Sequence, residues 1–246
     1  MTPSEMTTNF ADISQRKAAI VAGIAIVLMA VIAGFVYGFV LDTLVVKGDA
    51  AATARNIEAS EILFRISIFG WLINLVLDVL AAWALYIVFK PVNKSISLLA
   101  AILRLVYTAI LGAALLNFVL VLLLLSGADY LKVFEPAQLH SLVLLFIKAF
   151  EGIWSVGLVV FGLHIFTLGY LVLKSGFIPK ALGVLLILGA MGYLITDSAS
   201  ILLPNYDDYK ATVELVFIVP MIVGELGLGL WLLIRCGKQQ SIYRTY

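Results

Sequence analysis

Three ionisable residues, Asp78, His164 and Glu225, lie deep inside long apolar stretches of the sequence, where a charge is costly and usually has a function. Asp78 has 12 uncharged residues before it and 11 after it within its stretch. At about 1.5 Å of rise per helical residue, all three lie roughly 14–17 Å from the helix ends on one side of the predicted bundle. With Arg104 from a fourth stretch, the spacing predicts an inner polar layer of Asp78, Arg104, His164 and Glu225.

The position of Arg104 allows two interpretations. Residues 105–125 alone are long enough to span a membrane, so the Arg104 side chain could extend to the nearer interface. It could equally reach inward to Asp78 or Glu225 and keep one of these carboxylates ionised. We favour the second arrangement, in which the arginine pairs with one acid. Such a pair could also serve only to lock two helices together.

Helical spacing adds supporting residues to this layer. Asn74 and Trp71 precede Asp78 by four and seven residues, so the three side chains share one helix face. Tyr107, which lies one turn after Arg104 in the same apolar stretch, is included with them. A possible second layer lies nearer the opposite helix ends, where simple solvation at the interface is the alternative explanation. Its members are Arg65, Lys148, Glu151 and Asp197.

The common catalytic and metal-binding motifs do not occur in the sequence. It contains no HExxH, CxxC, GxSxG or GxGD pattern and no nucleotide-binding glycine motif. His164 is the one histidine near the middle of an apolar stretch, and Cys236 is the single cysteine. We therefore predict no catalytic set, no metal and no cofactor, although an intramembrane enzyme that uses His164 or Glu225 as acid or base remains open.

The composition identifies the solvent of most of the chain as lipid. Of the 246 residues, 63% are hydrophobic and only 13% are charged, whereas soluble domains have about 45–50% and about 25%. A net charge of +1 gives no indication of nucleic-acid binding. Six apolar stretches are long enough to cross a bilayer as helices. They cover about residues 18–41, 66–89, 97–125, 142–173, 181–203 and 214–234. The predicted fold is an all-α membrane bundle of six transmembrane helices.

Basic residues predict the orientation of this bundle. Nine lysines and arginines flank the stretches on one side, and the connections on the other side are mixed in charge. The positive-inside rule then places both termini in the cytoplasm. We expect a disordered cytoplasmic tail at residues 1–15, a transmembrane domain at 16–236 and a second cytoplasmic tail at 237–246. Residues 49–63 could form a short amphipathic helix on the membrane surface.

The second and third stretches share a spacing pattern with the fourth and fifth. Arg65 lies six residues before Trp71, as Lys148 does before Trp154, and Lys94 lies thirteen before Tyr107, as Lys180 does before Tyr193. This pattern is consistent with a duplicated helical hairpin, a device found in transporters. The alternative is that Trp, Tyr and Lys recur at the interfaces of any membrane hairpin.

Three segments carry a resemblance to a known family. Residues 152–194, GIWSVGLVVFGLHIFTLGYLVLKSGFIPKALGVLLILGAMGYL, resemble a bacterial family described as domain of unknown function 4386, and residues 77–111 and 224–235 are similar to it too. The matching motif positions hold Asp78, Arg104, Glu151, Trp154, His164 and Glu225. The resemblance implies a multi-pass bacterial membrane protein with no assigned activity.

Three functions remain open at this level. The leading expectation is a non-enzymatic protein of the bacterial cytoplasmic membrane that binds or moves a small solute or a proton through the inner polar layer. The alternatives are a structural scaffold or regulatory membrane subunit and an intramembrane enzyme. The expected partners are the lipid bilayer, an unknown small molecule, and a membrane partner or a second copy of the chain.

Overall fold

All regular structure in the described part of the chain is helical. The computed structural model describes residues 13–208 and 210–235. Within these ranges the helices are α1 (Gln15–Leu44), α2 (Ala50–Ala59), α3 (Glu61–Phe89), α4 (Lys94–Leu124), α5 (Pro136–Ser175), α6 (Lys180–Leu202) and α7 (Lys210–Ile234). Of the two predicted tails, 1–15 and 237–246, only residues 13–15 are among the described residues. Cys236 also lies outside them.

Local side-chain chemistry determines where several helices begin and end. Asp49 caps α2 by accepting a hydrogen bond from the Ala52 amide at 2.8 Å, and Asn93 caps α4 through the Ile96 amide at 3.0 Å. A capping box around Glu135 precedes the first residue of α5, Pro136, whose missing amide hydrogen costs nothing there. Gly176, at φ +71°, ends the same helix because a left-handed residue cannot continue it.

Six of the helices form a closed ring in chain order. The contacts run from α1 to α3, then through α4, α5 and α6 to α7, and α7 packs back against α1. All six are long and apolar enough to cross a membrane, and they carry exposed apolar residues such as Phe69, Val76 and Leu116. The predicted all-α bundle with six spans is therefore confirmed. The side of the membrane on which the termini lie stays a prediction.

Glycines allow the closest approaches within this ring. A Cβ atom on Gly169 of α5 would lie 3.0 Å from the Gly183 carbonyl oxygen of α6. A Cβ atom on Gly23 of α1 would lie 2.7 Å from the Gly229 carbonyl oxygen of α7. Since backbone atoms cannot move aside as side chains do, glycine at these positions determines how closely the helices pack.

The short helix α2 packs against the bundle. Its buried face contains Thr53, Ala54 and Ile57, and it contacts α5. The segment expected to be amphipathic is thus helical, and its buried face is covered by protein. Because successive spans run in opposite directions, α2 marks one end of the bundle, called the α2 end below. The start of α1 and the end of α7 mark the other, called the termini end.

Candidate ligand-binding cavity

Asp78 and Arg104 form a buried ion pair between α3 and α4. The Arg104 Nε and Nη2 atoms both donate to Asp78 Oδ1, at 2.9 and 2.7 Å. The side chains are only 3% and 4% exposed. The Arg104 side chain therefore reaches inward, as in the second of the two interpretations given above. Asp78 is the acid with which it pairs. Charge-assisted hydrogen bonds of this kind are about twice as strong as neutral ones.

His164 joins this pair from α5. Its Nε2 lies 3.2 Å from Arg104 Nη1, and its Nδ1 lies 2.8 Å from the Ala100 carbonyl oxygen. A guanidinium group can only donate and a carbonyl oxygen can only accept, so Nε2 must accept and Nδ1 must carry the hydrogen. The two partners thus specify a neutral imidazole with its proton on Nδ1.

Two further side chains enclose the guanidinium of Arg104. The Phe161 ring centroid lies 5.4 Å from Arg104 Cζ, within the range of a cation–π contact. Met29 of α1 places its sulfur 3.6 Å from Nη2. Arg104 therefore contacts α1, α3 and α5 from its own position on α4, and it is the polar link that joins these four helices.

Glu225 has a different partner from the other acid of the inner layer, Asp78. Its Oε1 accepts a hydrogen bond of 2.7 Å from the Tyr193 hydroxyl group of α6. The Tyr193 ring meets the Phe161 ring edge-on, with centroids 5.2 Å apart. Glu225 is therefore connected to Arg104 through two aromatic rings. Among the described residues it has no basic side chain within 4.0 Å.

The ring of helices surrounds a cavity of about 900 Å³. Toward the termini end its lining stops at Ile26, Asp78, Arg104 and Leu226. From there it extends to Lys148, Glu151, Lys210 and Glu214 at the α2 end, where a second cavity of about 330 Å³ adjoins it. Part of the predicted inner layer thus forms the closed end of a large cavity. His164 lies behind this end and does not line the cavity.

The predicted outer layer is only partly assembled. Lys148 donates to Glu151 at 2.8 Å on the cavity wall, and Asp197 lines the same wall. Arg65, in contrast, pairs with Glu61 at 2.7 Å on the outside, where its side chain is 59% exposed. Arg65 therefore does not belong with the others. Arg65 precedes Asp78 by thirteen residues. The helical period therefore rotates the Arg65 side chain by about 220° around the helix axis relative to Asp78, which faces the cavity.

Aromatic residues form much of the cavity wall. Trp71 and Trp154 meet edge-on with centroids 5.1 Å apart, and Trp154 Nε1 donates to the Tyr107 hydroxyl oxygen at 3.4 Å. The Tyr37 ring meets the Trp154 ring edge-on, with centroids 5.2 Å apart. It lies in a π-helical turn of α1, Val36–Leu41, and such turns are frequent at functional sites.

Two polar atoms on this wall have no partner. Trp71 Nε1 and Asn74 Oδ1 are buried without a hydrogen bond to any described residue. Both side chains line the cavity and are only 1% and 5% exposed. Buried polar atoms without partners are rare in proteins, and these two belong to residues beside a space large enough to hold a ligand or water.

Several lining residues were not among the predicted site residues. Tyr193, Phe161, Lys210 and Glu214 all line the cavity. Tyr193 was visible in the sequence only as a member of the repeat pattern. In that pattern Trp71 corresponds to Trp154, and these two rings are in contact. Among the described residues, no group of three or more His, Cys, Asp or Glu side chains is placed to hold a metal ion.

Comparisons with known proteins place the chain in a family without supplying a function. A family model described as "Domain of unknown function (DUF4386)" matches residues 21–236. An uncharacterized protein of the archaeon Archaeoglobus fulgidus is 32% identical over 179 residues, which cover 73% of this chain and 89% of the relative. No solved structure matches the chain. The family match covers most of the sequence, so the protein belongs to the DUF4386 family, whose function is unknown.

Proposed function

We propose that this protein binds a small molecule in the cavity at the centre of its helical ring. The observation that carries this proposal is the cavity itself, about 900 Å³ in volume, with Asp78 and Arg104 at its closed end. Drug-sized ligands occupy pockets of about 300–1,000 Å³ that combine apolar walls with a few placed polar groups. This cavity has both features, and its lining extends from Asp78 and Arg104 to Lys148 and Glu214 at the α2 end.

The two alternative functions are less well supported. A scaffold would need the Asp78–Arg104 pair to join helices, as it does, but would not need a large cavity with unpartnered polar atoms beside that pair. An intramembrane enzyme would use His164 or Glu225 as acid or base. Glu225 lines the cavity and stays a candidate, whereas His164 would need one free ring nitrogen near a ligand. Both nitrogens of His164 are engaged, and the ring does not line the cavity.

The location and orientation in the membrane are part of the proposal. We place the protein in the cytoplasmic membrane with both termini inside, because nine basic residues flank the spans at the termini end. The cavity would then open toward the outside. A second copy of the chain or another membrane protein as partner stays a prediction.

The proposal can be tested with three probes of similar size and different charge. These are tetraphenylphosphonium (a cation), tetraphenylborate (an anion) and triphenylphosphine oxide (neutral). We expect saturable binding of at least one probe to the detergent-solubilised protein, measured by calorimetry. Gly34 lines the cavity, and a Cβ atom there would meet nothing within 4 Å. A Gly34→Trp variant should therefore occupy part of the cavity and weaken binding at least tenfold.

The matched control adds the same side chain to the outside of the bundle. Leu116 of α4 is 63% exposed, so Leu116→Trp should leave binding unchanged. If none of the three probes binds saturably, or if Gly34→Trp binds as well as Leu116→Trp, the cavity is not the binding site.

A further inference from the structure

The charged groups that line the cavity do not balance. Three basic side chains line it, and each lies beside an acid. Arg104 is 2.7 Å from Asp78, Lys148 is 2.8 Å from Glu151, and Lys210 is 3.8 Å from Glu214. Two acids on the lining, Asp197 and Glu225, have no basic side chain within 4.0 Å among the described residues.

These two acids belong to one wall of the cavity. Glu225 of α7 accepts from the hydroxyl group of Tyr193 on α6. Asp197 follows Tyr193 by four residues, so its side chain lies on the same face of α6, one turn closer to the α2 end. Here Thr196 donates to Asp197 Oδ2 at 3.4 Å. The α6–α7 wall therefore presents two carboxyl groups at successive depths, and within the described part of the chain their hydrogen-bond partners are hydroxyl groups.

An aromatic wall formed by α3, α4 and α5 adjoins this acidic wall. Trp71, Trp154, Tyr107 and Phe161 all line it, and the faces of such rings attract cations. Asn74 adds an oxygen atom, Oδ1, that is buried and has no partner among the described residues. Trp71 Nε1, a donor, is likewise buried without a partner among the described residues. Apart from this donor, the groups without partners all favour positive charge.

We propose that the ligand is an organic cation with an apolar body, whose charge lies between Glu225 and the aromatic wall, with Asp197 nearer the opening. This inference rests on the proposed function and names its ligand class. A carboxyl group without a basic partner at membrane depth is costly, and a bound cation would supply the missing charge. An inorganic divalent cation fits less well, because calcium takes six to eight oxygen ligands and much of this wall is aromatic.

The apolar body is required by the rest of the cavity. The α1 wall contributes Ala30, Ala33, Gly34 and Gly38, and a Cβ atom on either glycine would meet nothing within 4 Å. These small residues leave space beside the acidic wall but offer no polar side chain. A large apolar group would remove their surface from water, which favours binding.

The test compares tetraphenylphosphonium with tetraphenylborate, which share a shape and differ in the sign of their charge. We expect the cation to bind at least tenfold more tightly than the anion. Glu225→Gln removes the charge but keeps an oxygen that can accept from Tyr193, so it should weaken cation binding at least tenfold. Asp197→Asn should weaken it less, because Asp197 lies nearer the opening. Glu61→Gln makes the same change outside the cavity and should have no effect.

Failure of this inference differs from failure of the proposed function. If tetraphenylborate binds as tightly as tetraphenylphosphonium, or if a folded Glu225→Gln variant binds the cation normally, the ligand class is wrong although the cavity binds small molecules. If no probe binds saturably, the proposed function itself fails. Size-exclusion profiles that match the wild type confirm that each variant is folded.

Discussion

At the scale of single residues, Arg104 has the largest structural role. Its guanidinium donates twice to Asp78, donates to His164, and lies against Phe161 and Met29. A lysine could not reproduce this arrangement, because an ammonium group lacks the planar fork that serves several acceptors at once. The pair is buried at membrane depth, so each member is stable there only because the other is present.

Replacing Arg104 alone should therefore be more harmful than replacing both members of the pair. Arg104→Met leaves Asp78 buried without a partner, which costs about 3–5 kcal/mol in the free energy of unfolding. The double variant Asp78→Leu/Arg104→Met should regain most of this loss. Arg65→Met breaks an exposed pair and should cost less than about 1 kcal/mol. Unfolding in detergent measures all three, and a double variant no more stable than Arg104→Met would contradict the account.

At the scale of helices, close contacts between backbones hold the ring together. Gly169 of α5 faces α6, where a Cβ atom would lie 2.8 Å from Ile187 Cγ1 and 3.0 Å from the Gly183 carbonyl oxygen. The carbonyl oxygen is part of the backbone of α6 and cannot move without moving that helix. Gly112 of α4 differs, because its nearest contact would be Leu75 Cδ1 at 3.8 Å.

The two glycines give a matched pair of substitutions. Gly169→Ala should force α5 and α6 apart and destabilise the protein by about 1–3 kcal/mol, as overpacking does elsewhere. Gly112→Ala has room for the methyl group and should be neutral or stabilising by up to about 1 kcal/mol, because alanine favours the helix. The midpoint of thermal unfolding in detergent measures both effects. Equal effects at the two sites would show that packing of α5 against α6 does not depend on Gly169.

The sequence could predict depth and helix face but not which helices meet. Asp78, Arg104 and His164 were expected at one level because depth follows from the count of apolar residues, and the structure brings them together. Trp71 and Asn74 followed from the period of the helix, and the same period would have excluded Arg65. The Tyr193–Glu225 contact and the cavity volume depend on the order of the helices around the ring and on their rotation. No count along one helix contains that information.

For the whole molecule, the cavity and the orientation together define the proposed mode of action. The lining runs from the Asp78–Arg104 layer to Lys148 and Glu214 at the α2 end, and the termini end is closed by buried residues such as His164. With the termini in the cytoplasm, a ligand would enter from outside and stop about halfway across the membrane. Under the proposed function and orientation, the cavity would capture a molecule from one side.

Cysteine accessibility in intact cells tests this account in one measurement. In a Cys236→Ser background, Ser155→Cys places a thiol on the cavity lining, whereas Ser67→Cys places one at a fully buried position outside it. We expect a membrane-impermeant thiol reagent to label the first from outside and to leave the second unlabelled. Labelling of Ser155→Cys only in inside-out membranes would contradict the orientation. A Ser155→Cys thiol as unreactive as Ser67→Cys on both sides would contradict an open cavity, and with it the proposed function.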